Sequence, residues 1–220
     1  MYCHAYGTIL RTNMPSQALT PALPSADALT IHVDRVPALP ALGLAAGSRP
    51  LQGRMVQVFE KPPDIVMQVD DLMSVVYEQT NRRIHCLAVA HAPDPLIDYW
   101  LLRQFIPVAR FLWNDAEVLH AGAVKIGENT AAFLAPAYTG KSTLVAEFIA
   151  RGHKLVSDDH LLVRDTRDDP STAVQALSSI PFYRDYRTFE SLGRHTTQYD
   201  PAASRLRVMY VLKIAHPEAP

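Results

Sequence analysis

The sequence predicts an α/β domain built around a phosphate-binding loop and preceded by a small β-rich module. Three observations lead there. Runs rich in β-branched and aromatic residues crowd positions 1–92, strand and helix patterns alternate from 116 to 220, and a Gly-Lys-Ser-Thr segment falls between an apolar strand and a helix start. Residues 93–115 read as a helical connector.

Between Pro15 and Pro50 six prolines stand among Ala, Leu and Ser, which disfavours long helices and suits extended segments joined by turns. A short strand is predicted at Leu29 to Val33. Further strands are predicted at Met55 to Phe59, Ile65 to Val69, Met73 to Gln79 and Ile84 to Ala90, bounded by Lys61-Pro62-Pro63, Asp70-Asp71 and Asn81-Arg82. Asp94-Pro95 then opens a segment where Leu96, Trp100, Arg103 and Ile106 recur at near-helical spacing, with Pro107 starting a second short helix that ends near Trp113.

In the second half, Leu119 to Ile126, the turn Gly127-Glu128-Asn129 and the apolar run Thr130 to Ala135 read as a hairpin. Lys141 to Arg151 reads as a helix with Leu144, Val145, Phe148 and Ile149 on one face, closed by Gly152. Lys154 to Ser157, His160 to Val163 and Arg207 to Ile214 are strand candidates.

Bulk properties narrow the function. The 220 residues, 48% hydrophobic, suffice for one large domain or a small module on a standard one. With 21 Lys and Arg against 22 Asp and Glu, no basic field points to nucleic acid or an anionic membrane. Cys3 and Cys86 form no C-x-x-C pair, which argues against zinc or a redox dithiol and fits a reduced, cytoplasmic protein. The opening Met-Tyr-Cys-His-Ala-Tyr-Gly lacks the basic and apolar regions of a signal peptide. The most apolar stretch, Leu96 to Trp113, is broken by Asp98, Arg103, Gln104, Pro107 and Arg110 and reads as soluble helix.

The chemistry centres on Ala135-Pro-Ala-Tyr138-Thr139-Gly140-Lys141-Ser142-Thr143. Backbone N–H groups near Gly140 and the first helical turn would face a β-phosphate, Lys141 would bring a point charge to the β/γ oxygens, and the Ser142 hydroxyl would meet Mg²⁺. The plainer alternative is a helix start with Ser or Thr as a cap. Ala135 replaces the first glycine of the usual pattern, and Tyr138 stands where glycine would be easier. Asp158-Asp159 follows a strand end. One carboxylate there can hold Mg²⁺ while the other accepts the proton of an attacking hydroxyl, although such pairs also occur as plain turns. His120 is a structural or surface residue unless strand pairing brings it beside Asp159, where it could orient the carboxylate.

The order His120-Ala-Gly-Ala-Val-Lys-Ile, Phe133-Leu-Ala-Pro-Ala-Tyr-Thr-Gly-Lys-Ser-Thr-Leu and Arg151-Gly-His-Lys-Leu-Val-Ser-Asp-Asp159 resembles the catalytic domain of HPr kinase/phosphorylase and its relatives. The resemblance spans about His120 to Val163. It implies a P-loop kinase domain of the HPr kinase/phosphoenolpyruvate carboxykinase type, shortened at its C-terminal end, that uses Mg²⁺ and ATP to phosphorylate a serine on a peptide or small protein. It also implies roles: Gly140 and Lys141 as phosphate contacts, Ser142 as Mg²⁺ ligand, Asp158 in the metal shell, Asp159 as general base and His120 as its partner. Ala135, Tyr138, Thr139 and Thr143 complete the nucleotide loop.

The family's glycine-rich stretch with a further acidic ligand has no clear equivalent in Ser178 to Leu192, where Asp185 and Glu190 are the candidates, so phosphorylase activity is not expected. Arg184, Arg187 and Arg194 are candidate contacts for phosphate or an acidic substrate, with a solvated basic face as the alternative. The Pro-rich start looks more like shortened HPr-kinase-like proteins, some of which work in peptide-modification clusters, including lasso-peptide pathways. Homo-oligomerisation is left open. Two other readings stand beside this one: a non-catalytic nucleotide-binding regulatory or scaffold protein with a drifted loop, and a kinase acting on a small-molecule hydroxyl.

Overall fold

The computed structural model describes residues 1–14, 19–166, 174–184 and 189–213. The chain divides into two compact units, Met1–Asn114 with Tyr186–Leu192, and Asp115–Asp185 with Gly193–Pro220. Strands hold 47% of the described residues and helices 15%, which corrects the α/β P-loop kinase class expected from sequence to a mostly β architecture. The reason is visible in the second unit, where among the described residues the helical pattern is met once, at Lys141–Ala150, and every other element is a strand.

The first unit is built on β1 (Tyr2–Ala5), β2 (Thr8–Thr12), β3 (Leu29–Val36), β4 (Gly47–Leu51), β5 (Arg54–Lys61), β6 (Asp64–Val69), β7 (Met73–Glu78) and β8 (Arg83–Val89). They form one sheet in the order β1-β2-β3-β8-β7-β6-β5-β4. β4 to β8 run as an antiparallel meander, whereas β3 lies parallel to both β2 and β8. The β4–β5 turn is Gln52-Gly53, both with positive φ (53° and 84°), the geometry that suits the right-handed twist of a two-residue hairpin.

The expected helical segment is α1 (Asp94–Tyr99), a π-helical turn (Trp100–Phe105) and α2 (Ile106–Leu112) in one run. Ile106 N–H bonds Leu101 O, five residues back. Pro107 has no N–H to give and its ring would crowd the carbonyl four residues before it, which the wider turn relieves. The run is buried at Ile97, Trp100, Leu101, Leu102, Phe105 and Ile106, and Tyr77 of β7 meets Phe105 edge-on and donates to its carbonyl at 3.3 Å. Among the described residues no helix is long and apolar enough to cross a membrane.

Two polar clusters mark this unit. Glu190 accepts from Arg54 Nε (2.5 Å), Arg54 Nη2 (3.1 Å) and Trp100 Nε1 (2.8 Å). Asp34 is flanked by His32 (3.1 Å) and His85 (2.8 Å), which β3–β8 pairing sets side by side.

The second unit contains β9 (Glu117–Ile126), β10 (Asn129–Leu134), α3 (Lys141–Ala150), β11 (Lys154–Ser157), β12 (His160–Asp165), β13 (Val174–Leu177), the two-residue strands β14 (Phe182–Tyr183) and β15 (Arg194–His195), and β16 (Ser204–Val211). Ile214, the predicted end of the last strand, lies outside the described residues. The pairings close on themselves: β9 bonds β10, β10 bonds β16, β16 bonds β13, β13 bonds β12, and β12 returns to β9. β11 continues along β9 beside β12.

A ring of five strands encloses little space, and the small side chains Ala121, Ala123, Ala132 and Ala176 fit it, together with Val156, Leu161 and Val163. Strand alternation turns Val124, Ala131 and Phe133 to the other face, where they pack with Val145 and Ile149 of α3. Burial of this face holds α3 in place. At Gly122 a Cβ would lie 2.7 Å from Val145 Cγ2, so glycine there lets the helix lie close to β9.

Candidate functional site

The site lies in the second unit, where β10 and β11, on either side of β9, come to their ends. β11 is antiparallel to β9 and β9 to β10, so the carboxyl ends of β10 and β11 point the same way. From one end runs the loop 135–140, and from the other Asp158-Asp159. Gly140 precedes α3 with φ 94°, and Tyr138 also takes a positive φ, 64°, in a loop position that is 91% exposed. A tyrosine thus occupies a left-handed conformation that costs glycine little. Ala135 follows β10 directly, and Thr143, in the first turn of α3, is exposed.

Lys141 and Ser142 are buried at the start of α3. Lys141 Nζ donates to Ala135 O at 2.6 Å and Pro136 O at 3.0 Å, so the loop curls around its own lysine. Thr139 Oγ1 donates to Pro136 O at 2.5 Å and tightens the same turn. Burial pushes the Lys141 ammonium below the ordinary lysine range; Arg184 pushes the same way, while Asp159 and Asp158 oppose it. Burial wins, so the charged lysine is held in an environment that an added anion would improve.

Ser142 Oγ donates to Asp158 Oδ1 at 2.7 Å. Asp158 is 2% exposed, and its other oxygen accepts the Arg184 backbone N–H at 2.5 Å. The neighbouring Asp159 has φ 98°, rare for a residue with a Cβ, and reverses the chain between β11 and β12. That reversal aims successive carboxylates differently. Asp158 faces Ser142, while Asp159 meets His120 Nδ1 at 3.2 Å and Arg184 Nη1 at 3.7 Å. His120 pairs with His160 in the β9–β12 ladder, which is what sets it beside the bend, and its side chain is half exposed.

Lys141, Ser142, Asp158, Asp159 and His120 therefore meet in one place. Arg184, one of three basic candidates, joins them through both its backbone and its guanidinium. Nothing in the sequence separated it from its neighbours, because β14 spans two residues and carries no periodic pattern. Gly193 holds the return strand: its φ is 93° and an added Cβ would collide with the Tyr183 carbonyl, one residue from Arg184. Arg194 sits in β15 opposite Tyr183 and is exposed. Glu190 belongs to the first unit, where Arg54 and Trp100 occupy its carboxylate. Asp185 and Arg187 lie outside the described residues.

A hard divalent cation fits this donor set. Ser142 and Asp158 offer oxygens on adjacent elements, the pattern Mg²⁺ uses when phosphate oxygens and water fill its remaining positions. Among the described residues no group of three or more His, Cys, Asp or Glu side chains is arranged to hold a metal ion alone. No protein-family model matches the chain, and no curated protein matches it.

Proposed function

We propose that this chain is an Mg²⁺- and ATP-dependent kinase that transfers a γ-phosphoryl group to a serine hydroxyl of a peptide or small protein. The observation that carries the reading is the 2.7 Å bond between Ser142 and Asp158 at the start of α3, with Asp159, the next residue along the chain, beside His120. The resemblance to HPr kinase rests on the same residues.

In this reading Lys141 leaves its loop carbonyls and neutralises the β- and γ-phosphate oxygens, and the N–H groups of Gly140 to Thr143 bond the β-phosphate. Mg²⁺, held by Ser142 and Asp158, would screen the phosphate charge and orient the γ-group. Asp159 takes the proton of the serine hydroxyl as its oxygen bonds the γ-phosphorus, and the bond to the β–γ bridging oxygen breaks to leave ADP. His120 fixes the Asp159 carboxylate. Arg184, within reach of Asp159, adds positive charge where the transferred group passes.

A peptide acceptor in a reducing cytoplasm, without nucleic acid or membrane partners, agrees with the near-neutral charge and with two buried, unpaired thiols. A second reading, a non-catalytic nucleotide binder, draws on Tyr138 and its left-handed backbone in the loop. Calorimetry with Mg·ATP on the wild type and Lys141→Ala, followed by mass spectrometry of candidate peptides and metabolites, separates them. The kinase reading expects binding that weakens at least about tenfold in the variant and Lys141-dependent transfer to serine. Binding without transfer to any hydroxyl would favour the second reading, and no binding in either protein would overturn both.

A further inference from the structure

The outer face of the first unit's sheet carries cations that their own neighbours leave unanswered. Arg11 of β2, Thr30 of β3 and Arg83 of β8 stand in register across three adjacent strands, and paired residues in a ladder share a face. Two strand steps of about 4.8 Å put the two arginine backbones about 10 Å apart, a span that two long side chains can close over one small group above Thr30. Both arginines are exposed, and among the described residues neither makes a hydrogen bond or an ion pair. Elsewhere in this unit Arg35, Arg54 and Arg103 are each committed to protein oxygens.

The ground around the two arginines is polar. A cavity of about 570 Å³ opens on this face, with Arg11, Thr30, Arg83, His32 and His85 in its lining. Two residues along β3 and β8, His32 and His85 lie side by side, and each sets its Nε2 against one oxygen of Asp34, at 3.1 and 2.8 Å. That carboxylate is thus answered locally. Among the described residues the lining has one other carboxylate, Glu78, opposite Arg83 in the β7–β8 ladder; it accepts from Asn81 Nδ2 at 3.1 Å and forms no ion pair with Arg83.

A phosphate group completes this arrangement. Guanidinium forks match paired oxygens of a tetrahedral dianion, and the threonine hydroxyl adds a further donor. Two arginines suit one phosphate, and among the described residues the lining holds no other lysine or arginine, so nucleic acid, which calls for a row of cations, fits poorly. The cavity is larger than a bare anion fills, which leaves room for the residues on either side of a phosphorylated side chain.

We propose that this face binds a phosphate monoester, held by Arg11 and Arg83 with Thr30 between them, and that the ester is a phosphoserine within a peptide. Calling that peptide the kinase's own product rests on the reading above, whereas the site stands on its own residues.

The probe is a fluorescein-labelled pentapeptide with phosphoserine at its centre, flanked by alanine and glycine. Anisotropy compares it with its unphosphorylated form and with labelled decathymidylate, and inorganic phosphate serves as competitor. The phosphopeptide is expected to bind the wild type, to lose at least about tenfold in Arg11→Gln and in Arg83→Gln, and to tighten about two- to threefold in Glu78→Gln, where an opposing charge is removed. Lys141→Ala, which disables the phosphate loop of the other unit, should leave this binding as it is, and thermal melts matching the wild type report that the arginine variants are folded. No binding of the phosphopeptide, equal binding of the serine form, unchanged affinity in either arginine variant, or loss in Lys141→Ala would overturn the proposal. So would decathymidylate binding as tightly as the phosphopeptide, or inorganic phosphate matching its affinity, which would assign the site to a free anion. Phosphopeptide binding by a protein that transfers phosphate to no acceptor would keep this site and remove the kinase reading. Transfer without phosphopeptide binding would do the reverse.

Discussion

The two units each draw charge partly or wholly out of water, and they do so in opposite ways. In the first, Arg54 and Glu190 answer each other, with Trp100 supplying a further bond; the hydrogen bond to Glu190 holds the guanidinium above its ordinary range, so the pair is settled as it stands. In the second, burial works against the charge on Lys141, and two consecutive carboxylates share a serine, an amide, an imidazole and a guanidinium. Similar ingredients thus give a clamp in one unit and an unsettled cluster in the other. Buried charge marks a candidate site when its own neighbours leave it partly uncompensated and a ligand would complete it.

That contrast can be broken by mutation. Asp159→Asn should lower phosphotransfer about 10²- to 10⁴-fold while Mg·ATP affinity changes little, and a wild-type rate measured on a verified acceptor would remove Asp159 as the base. Glu190→Ala should do the converse, costing the first unit about 2–3 kcal/mol in denaturant titrations because Arg54 and Trp100 lose an ionised acceptor, with Mg·ATP affinity preserved. Gly122→Ala should cost about 1–3 kcal/mol and weaken nucleotide binding, since the new methyl group pushes α3 and Lys141 away from β9; unchanged calorimetry would mean the helix start is not fixed by that contact.

The smallest effect is one of pH. The hydrogen bond from His85, assisted by His32, holds the Asp34 carboxyl below its usual value of 3.8. The stability it contributes is therefore present above pH 3.8 and is lost as pH falls through the lowered value. Asp34→Asn should flatten the acid limb of the first unit's stability curve in that window, with the variant slightly less stable than its histidine-paired parent at pH 7 and indistinguishable from it below the lowered value.

Legibility followed local physics. β5 to β8 announce themselves by β-branched runs between turn residues, and α3 by Leu144, Val145, Phe148 and Ile149 followed by Gly152, whose φ of 92° ends the helix. β4 does not, because Pro50 and an exposed edge give it a loop's composition, and β1 and β2 were hidden although Tyr6-Gly7 makes the two-residue turn between them. The fold class was misread because short strands joined by tight turns look the same locally whether the next element is a helix or a returning strand. Ring closure depends on β9 pairing at three registers, which no window of sequence displays. At the site, loop and carboxylates were readable as motifs, and His120 became adjacent to Asp159 only through the β9–β12 ladder. Arg184 had no signal of its own.

The bend at Asp159 has a bearing on how this protein would change under selection. A non-glycine residue at φ 98° gives up about 1–3 kcal/mol that glycine would return. Asp159→Gly should therefore melt at a higher temperature than the parent and transfer no phosphate. A library screened only for survival of heating would discard this carboxylate early, and one screened for the proposed turnover would keep the conformational strain at a single residue.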